Sequence, residues 1–470
     1  MTLSNLSPSI SRRRLLQSSA TGFGMLALAD LLARESPVAA EEKSADTNPL
    51  AVRKPHHTPR AKSCIFIFGV GGPSQLDMFD PKPRLAVDHG KPLPFEKPKL
   101  ERTKTGNLFA SPWKFAKHGQ AGIEVSELLP QLAGCVDDLC IIRSMVADNI
   151  NHTGACLQMN TGEQAFSRPS MGSWLTYGLG TENQNLPGFV VISPQIHNQG
   201  AQLWSNSFLP GAFQGTLVQD LTNPVANLSS PQQPLIRQRE KLDVLAQINR
   251  FHRDNREGIS ELDARIASFE LAYRMQIEAP EAFDISREDL PTQQIYGCGD
   301  PATEKLGKQC LMARRLVERG VRFVQVYDPG TWDHHNNIRT ALPTQCASMD
   351  RPVAGLLKDL KSRGLLDDTL VVWGGEFGRT PTAEGGDGRE HHPFGFTMWL
   401  AGGGVKGGIV HGATDEFGWH AVENKVHVHD LHATILHLMG LDHEKLTYRY
   451  GGRDYRLTDV HGHVVSEILA

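Results

Sequence analysis

The chain has 470 residues, of which 40% are hydrophobic and 21% charged, and its formal net charge at pH 7 is −4. This composition is that of a globular protein that can bury a large core, and it excludes a disordered chain. The basic residues are scattered along the sequence, which excludes the clustered positive surface of a nucleic-acid binder.

The first forty residues have the order of a signal peptide. Arg12, Arg13 and Arg14 precede two leucines, a mildly apolar stretch at 22–33 and a small-residue site ending near Ala40. Paired arginines followed by leucines predict the twin-arginine type, and the apolar stretch is too short to span a membrane. We therefore expect a signal peptide at 1–40, a polar linker at 41–60 and one domain at 61–470. The mature protein is expected in the periplasm or secreted, without a transmembrane segment.

Short apolar runs bounded by glycine or polar residues predict buried strands. These runs lie at 63–68, 139–145, 188–192, 321–327, 369–373 and 395–401, and helical patterns lie at 127–133, 304–320 and 347–363. The alternation of strand, helix and strand from 321 to 373 predicts a crossover between parallel strands. Charged, amphipathic sequence at about 233–300 predicts a helical insertion. The expected fold class is α/β with a mainly parallel sheet.

Acidic and histidine residues follow several of the predicted strands. Open α/β sheets place their chemistry at this edge, and borderline divalent cations take mixed imidazole and carboxylate ligands. The pattern therefore predicts a metal site, although Glu376 also suits a simple surface ion pair with Arg379. The candidate metal ligands are Asp77, Asp333, His334, His335, Glu376, His391 and His392.

Two further features concern the helix near the C-terminus and the cysteines. The run from Val426 to Leu436 predicts a helix capped by Asp430 or His429. The seven cysteines include no Cys-x-x-Cys spacing, which excludes a zinc–thiolate cage and a c-type haem site. Cys298 and Cys310 form the first disulfide pair to test.

Several motifs also resemble known proteins. The segment LLDDTLVVWGGEFG is similar to a strand of the alkaline phosphatase and sulfatase superfamily, and HDLHATILHLMGL is similar to a sulfatase helix. In order, GVGGPSQLDMFDPKP, RPSMGSWLTYGLG, WDHHNN, GGEFGRTP, GREHHP and DLHATIL resemble the exported family called domain of unknown function 1501. The resemblance implies a three-layer α/β/α fold. It also implies phosphoryl or sulfuryl transfer assisted by divalent metal, Zn or Ca.

The resemblance assigns metal ligands one by one. The first metal site corresponds to Asp333 with His334 or His335, joined by His391 or His392. At the second site Glu376 keeps one carboxylate, whereas Phe377 and Val70 stand where the superfamily has an imidazole and an aspartate. Asp77 is near enough in sequence to reach back towards this site. The resemblance therefore implies a depleted, single-metal centre.

The resemblance places a nucleophile after the strand that ends at Met145, where this chain has His152 and Thr153. Thr153 is the candidate, with the alternative that it only caps a helix. No Cys-x-Pro-x-Arg sequence is present, so the formylglycine of ordinary sulfatases is excluded. Three functions stay open: a hydrolase of anionic esters, including sulfated or phosphorylated glycans, a non-catalytic binding or scaffold protein, and a redox partner.

Overall fold

A computed structural model describes residues 48–96, 106–195, 200–224, 239–245, 248 and 260–470. The predicted signal peptide at 1–40 lies outside the described residues, as do the first residues of the predicted linker. From Asn48 onwards the linker is part of the domain. Its backbone is hydrogen-bonded along the domain surface, with the Arg53 amide donating to Leu179 and the His56 amide to Gly440. Residues 48–60 of the predicted linker therefore lie within the compact domain.

A nine-stranded sheet forms the centre of the domain, in the order β12-β4-β11-β8-β1-β7-β5-β6, with β15 also pairing with β4. Only β11 runs antiparallel to its neighbours, and every other pair in this sheet is parallel. The strands are β1 Ser63–Phe68, β4 Leu139–Val146, β5 Phe189–Ile192, β6 Thr216–Val218, β7 Phe323–Tyr327, β8 Thr369–Gly374, β11 Phe396–Ala401, β12 Ile409–His411 and β15 Val426–His427.

Small two-stranded sheets lie outside this central sheet. The hairpin of β9 and β10 supplies residues to the site described below. The strands of these small sheets are β2 Phe115–His118, β3 Ile123–Ser126, β9 Gly378–Glu384, β10 Gly388–His392, β13 Ala413–Thr414, β14 Ala421–Glu423, β16 Tyr448–Tyr450 and β17 Arg453–Tyr455.

Both faces of the central sheet are covered, which explains why its strands read as continuous apolar runs. Alternate residues of β1 point to opposite faces, so Ile65 and Ile67 lie in one core and Phe66 and Phe68 in the other. The helices are α1 Gln75–Met78, α2 Pro83–Val87, α3 His152–Thr161, α4 Met171–Leu179, α5 Ser260–Phe283, α6 Leu290–Ile295, α7 Glu304–Glu318, α8 Ile338–Ser362 and α9 Val428–Leu438.

Side chains of α7 and α8 belong to the first core, and those of α3, α4 and α9 belong to the second. The predicted three-layer α/β/α class is confirmed. None of the helices within the described ranges is long and apolar enough to cross a lipid bilayer.

The buried strand predicted at 369–373 is confirmed as β8, which lies between β1 and β11. Since β11 is antiparallel to both β4 and β8, these two strands point the same way as β1 and β7. The loops that follow β1, β4, β7 and β8 therefore leave the sheet at one edge. These loops carry most of the predicted site residues.

Two local predictions are wrong, and the cysteine pair chosen for a first disulfide test is not bonded. The helix expected at 127–133 is instead a turn followed by a 3-10 helix at Leu132–Asp138, because Pro130 lacks the N–H that a helix interior needs. The last helix is capped by His427 rather than by Asp430 or His429, since residues 426–427 first pair with β4. Cys298 and Cys310 are both free thiols.

Candidate metal centre

Four side chains converge at the carboxyl edge of the sheet, and we call them the primary cluster: His152, Asp333, His335 and His391. One ligand atom from each lies within 4.8 Å of the others. The Asp333 Oδ1 atom is 2.9 Å from His335 Nε2, 3.2 Å from His152 Nε2 and 3.4 Å from His391 Nε2. The Nε2 atoms of His335 and His391 are 3.0 Å apart.

These separations fit a bound cation. A tetrahedral metal with metal–nitrogen distances of about 2.0–2.1 Å holds its ligand atoms about 3.3 Å apart. The three atoms from Asp333, His335 and His391 have mutual separations of 2.9, 3.4 and 3.0 Å. Their spacing therefore matches three corners of a coordination tetrahedron.

The other ring nitrogen of each histidine contacts a group that can only accept a hydrogen bond. His335 Nδ1 lies 2.5 Å from a Glu384 oxygen, His152 Nδ1 lies 2.6 Å from Glu376 Oε1, and His391 Nδ1 lies 2.8 Å from the Ile150 carbonyl. Each Nδ1 must then be the donor, which leaves the lone pair on Nε2. Three imidazole lone pairs thus face the same point, and such outer acceptors are typical of histidines that bind metals.

Glu376 positions His152 from beneath. Its carboxylate is fully buried directly after β8 and accepts the Gly71 amide at 2.9 and 3.2 Å. The loop after β1, which contains Gly71, and the loop after β8, which contains Glu376, therefore hold this carboxylate in place. The sequence-based hypothesis made Glu376 a metal ligand. In the structure Glu376 instead contacts His152, which is a candidate ligand.

The ionisable groups of the primary cluster influence one another strongly. Burial disfavours charge on Asp333, but His152, His335, His391 and Arg379 outweigh it and lower the pKa of this carboxyl far below its ordinary value. Burial likewise disfavours a proton on His152, yet its contacts with Asp333 and Glu376 raise its pKa to about 9. The cluster is thus strongly attractive to positive charge, supplied either by protons or by a metal cation.

A buried arginine supplies one fixed positive charge. Arg379 Nη2 donates to Asp333 Oδ1 at 2.5 Å and also to the Gly71 carbonyl. Its other nitrogens donate to the carbonyls of Gly72 and Arg389, each at 3.0 Å. These contacts fix the guanidinium group and orient Asp333 towards the histidines.

The hairpin of β9 and β10 brings His391 to the cluster. His391 pairs with Arg379 across the hairpin, and the register shifts between Arg389 and His391, where a bulge in β9 places three residues opposite one of β10. A bulge re-aims the side chains that follow it. Glu384, at the end of β9, reaches His335 from the same hairpin. Glu384 was not among the predicted site residues, although the glycine-rich turn after it indicates a hairpin.

Besides Glu376, three of the predicted metal ligands lie outside the primary cluster. Asp77 is buried and forms a paired contact with the Arg389 guanidinium at 2.8 and 3.0 Å. The His392 ring is hydrogen-bonded to the Trp419 carbonyl, and burial lowers its pKa to about 4. His334 is buried next to the cluster, and burial also lowers its pKa to about 4. Of each adjacent histidine pair, the structure brings in His335 and His391.

The predicted nucleophile, Thr153, lies at the start of α3 with an exposed side chain. The helix cap is Asn151, whose side chain accepts the Thr153 amide at 3.0 Å. The alternative interpretation of Thr153 as the cap is therefore wrong. The residue of this loop that enters the cluster is His152.

Phe377 packs directly against the primary cluster. Its ring centroid lies 4.9 Å from that of His152 and 4.7 Å from that of His391. Phe377 is almost fully buried, whereas Val70 is half-buried and packs against the second core. Hydrocarbon thus lines the side of the cluster where the resemblance implied a second metal.

A second group, which we call the helix-start cluster, contains Asp148, His427 and His429. Its ligand atoms also lie within 4.8 Å of one another. His427 Nε2 is 3.0 Å from Asp148 Oδ2, and the Gln158 side chain also donates to this oxygen. His427 Nδ1 accepts the His429 amide at 3.2 Å as the cap of α9.

Comparison with known protein families shows to which family the chain belongs. Residues 61–469 match the model of the family described as "Protein of unknown function (DUF1501)". The chain belongs to this family. The resemblance noted from the motifs is thereby confirmed, and the match includes every residue of the primary cluster. Among curated proteins, none is significantly similar in sequence to this DUF1501 protein.

Solved structures give distant matches. The PsFucS1 sulfatase from Pseudoalteromonas sp. is 12% identical, with coverage of 83% of this chain and 69% of that chain and a TM-score of 0.35. The lipoteichoic acid synthase LtaP from Listeria monocytogenes is 9% identical, with coverage of 88% of this chain and 79% of that chain and a TM-score of 0.35. The alkaline phosphatase from the Antarctic bacterium TAB5 is 12% identical, with coverage of 81% of this chain and 98% of that chain and a TM-score of 0.32.

Proposed function

We propose that this DUF1501 protein is an exported, metal-dependent hydrolase of phosphate or sulfate esters. The observation that carries the proposal is the set of lone pairs from Asp333, His335 and His391, separated by 2.9–3.4 Å at the active edge of the sheet. Imidazole and carboxylate ligands of this kind are typical of zinc centres. When bound, such a cation supplies Lewis-acid stabilisation of the charge that develops on an ester oxygen.

The donor set favours zinc over calcium. Calcium takes six to eight oxygen ligands, whereas imidazole nitrogens suit zinc and similar transition metals. Nearby carboxylates support a cation of this charge, because Glu376 and Glu384 each contact a ligand histidine. We therefore propose zinc as the first metal to test.

The proposal is for a single cation. Phe377 packs on two of the cluster histidines, and Asp77 is committed to Arg389. A phosphate monoester carries a second negative charge that one cation neutralises incompletely. We expect singly charged substrates, namely phosphodiesters and sulfate esters, including those on glycans, to be preferred over monoesters.

Export through the twin-arginine pathway is part of the proposal, and its support is the sequence at Arg12 and Arg13. Replacement of both arginines by lysine keeps the charge but removes the guanidinium groups that the export receptor recognises. We expect the precursor to accumulate inside the cell. Unchanged export of the double variant would contradict this part.

One observation favours a second candidate, a non-catalytic binding or scaffold protein. The Arg379 guanidinium lies 2.5 Å from Asp333 Oδ1 and already neutralises part of the cluster. A protein with this pairing can be stable without a cation.

Elemental analysis combined with an ester screen separates the two candidates. The hydrolase predicts about one transition metal per chain and turnover of bis(4-nitrophenyl) phosphate or 4-nitrophenyl sulfate. The rate should exceed that with 4-nitrophenyl phosphate. A folded, metal-free protein that cleaves none of the three esters would support the scaffold.

A further inference from the structure

We infer that His152 is a fourth ligand of the cation, and that ester hydrolysis uses a water molecule without a covalent intermediate on the chain. The second half of this inference rests on the proposed function, whereas the first half concerns metal binding alone. Sequence motifs suggest that the residues after β4 supply a nucleophile. The contacts of His152 and Thr153 favour a different arrangement.

The His152 ring is oriented by contacts on several sides. Its Nδ1 donates to the buried Glu376 carboxylate at 2.6 Å. Its ring centroid lies 4.1 Å from that of His391 and 4.9 Å from that of Phe377. Together these contacts direct Nε2 into the primary cluster.

The Nε2 atom of His152 is buried and has no hydrogen-bond partner among the residues that the structure describes. It lies 3.2 Å from Asp333 Oδ1, within the range expected between two ligands of one metal. An unpaired buried nitrogen costs free energy unless another group satisfies it. A cation shared with Asp333 satisfies this lone pair.

The position of His152 at a helix start acts against a cation, because the N-terminus of a helix carries partial positive charge. Two neighbours offset this effect. Glu376 lies against Nδ1 as a buried carboxylate, and Asn151 accepts one of the free amides of the helix start. The local charge at His152 is therefore compatible with metal binding.

If His152 binds the metal, it is not available to activate Thr153 as a nucleophile at the start of α3. Thr153 is exposed, and the carboxylates of Glu376 and Asp333 contact His152. We therefore assign the attack to water. The water oxygen forms a bond to phosphorus or sulfur, the bond to the leaving alkoxide breaks, one water proton passes to solvent, and the alkoxide takes a proton from solvent.

Metal affinity tests the first half without any assay of activity. We expect His152→Asn to bind zinc at least 10-fold more weakly than the wild-type protein. Thr153→Ala, one residue away, should bind zinc as the wild type does. Circular dichroism of each variant verifies folding. Equal zinc affinity of His152→Asn and wild type would overturn the inference.

A spectroscopic variant keeps the inference testable if His152→Asn folds poorly. His152→Cys places a thiolate donor at the same position, and thiolate is a strong ligand for zinc and cobalt. Loaded with Co(II), this variant should show a sulfur-to-cobalt charge-transfer band that wild type and Thr153→Cys lack. Absence of the band from cobalt-loaded His152→Cys would contradict direct ligation.

Quenched reactions with bis(4-nitrophenyl) phosphate test the second half. We expect no phosphoryl adduct on the peptide that contains His152 and Thr153, after either acid or alkaline quenching, and we expect Thr153→Ala to retain turnover. An adduct on this peptide, or loss of turnover in folded Thr153→Ala, would overturn the water mechanism. If wild-type protein with bound zinc cleaves no ester, the proposed function and the water mechanism both fail, while zinc affinity still decides the role of His152.

Discussion

Each of the two histidine clusters takes one residue from the segment after β4, His152 or Asp148, yet their hydrogen bonds differ. In the primary cluster, each Nδ1 faces an acceptor, so each Nε2 presents a lone pair to the centre. In the helix-start cluster, His427 Nδ1 accepts the His429 amide, so the proton of the neutral ring lies on Nε2 and is donated to Asp148. His427 therefore lacks the lone pair that a metal would need at that atom.

The difference shows that closeness of ligand atoms is not sufficient evidence for a metal site. Both clusters bring histidine and carboxylate atoms within 4.8 Å. The partner of the second ring nitrogen decides which tautomer forms, and the tautomer decides whether a cation or a carboxylate is bound. We therefore expect the primary cluster to bind metal and the helix-start cluster to act as a helix cap and ion-pair site.

Replacement of the ligands themselves should have the largest effect. His335→Ala and His391→Ala each remove a ligand and should weaken zinc binding by more than about 100-fold, beyond the loss caused by removing an outer partner. Their neighbours provide matched controls, because His334→Ala and His392→Ala remove imidazoles that lie outside the cluster. Titration with zinc in a competing chelator measures each affinity. Equal losses within either adjacent pair would contradict the assignment.

Replacement of the outer carboxylates should have a smaller effect. Glu376→Gln and Glu384→Gln keep the size of each side chain but remove the charge that orients His152 or His335. We expect each variant to bind zinc about 10–100-fold more weakly. The same chelator titration applies, with Glu444→Gln on the surface as the control. Unchanged affinity in both variants would mean that these carboxylates do not position the ligands.

A substitution in the helix-start cluster should lower the stability of the protein and leave its metal affinity unchanged. His427→Ala removes the cap of α9, a loss that typically costs about 1 kcal/mol. We expect a lower free energy of unfolding in urea, with wild-type zinc affinity at the primary cluster. A fall in metal content comparable with that of His391→Ala would break the distinction between the two clusters.

The smallest predicted effect concerns acid stability. The hydrogen bond to His427 is the main cause that lowers the pKa of Asp148 from 3.8 to about 2. A carboxyl with a lowered folded pKa stabilises the protein above its unfolded value and loses this contribution as pH falls towards the folded value. Between pH 4 and pH 2, Asp148→Asn should therefore lose less stability than wild type. Parallel pH profiles would contradict this ion pair.

The sequence predicted the sheet better than the site. Continuous apolar runs such as Thr369–Trp373 identify strands that are buried on both faces, because few other environments accept such a run. The helix expected at 127–133 does not form, and Pro130 is the residue in the sequence that indicates this. The last helix began later than its apolar pattern because Val426 and His427 pair with β4, a long-range contact.

Site residues were predictable as a set but not individually. His391 and His392 are adjacent in a strand and point to opposite faces, so a shift of one residue exchanges their roles. The bulge in β9 opposite Glu390 sets this register, and it depends on the pairing of β9 with β10. Glu384 and the Ile150 carbonyl depend on tertiary contacts alone, so local sequence patterns do not identify them.

Metal analysis of three proteins tests the central claim most directly. Wild-type protein, Asp333→Ala and Asp148→Ala are purified with zinc, dialysed identically and analysed for zinc per chain. We predict about one zinc in wild type and Asp148→Ala, and a large loss in Asp333→Ala, because Asp333 Oδ1, unlike the oxygens of Asp148, lies within 3.4 Å of three imidazole Nε2 atoms. Retention of zinc in Asp333→Ala, or its loss in Asp148→Ala alone, would contradict the account.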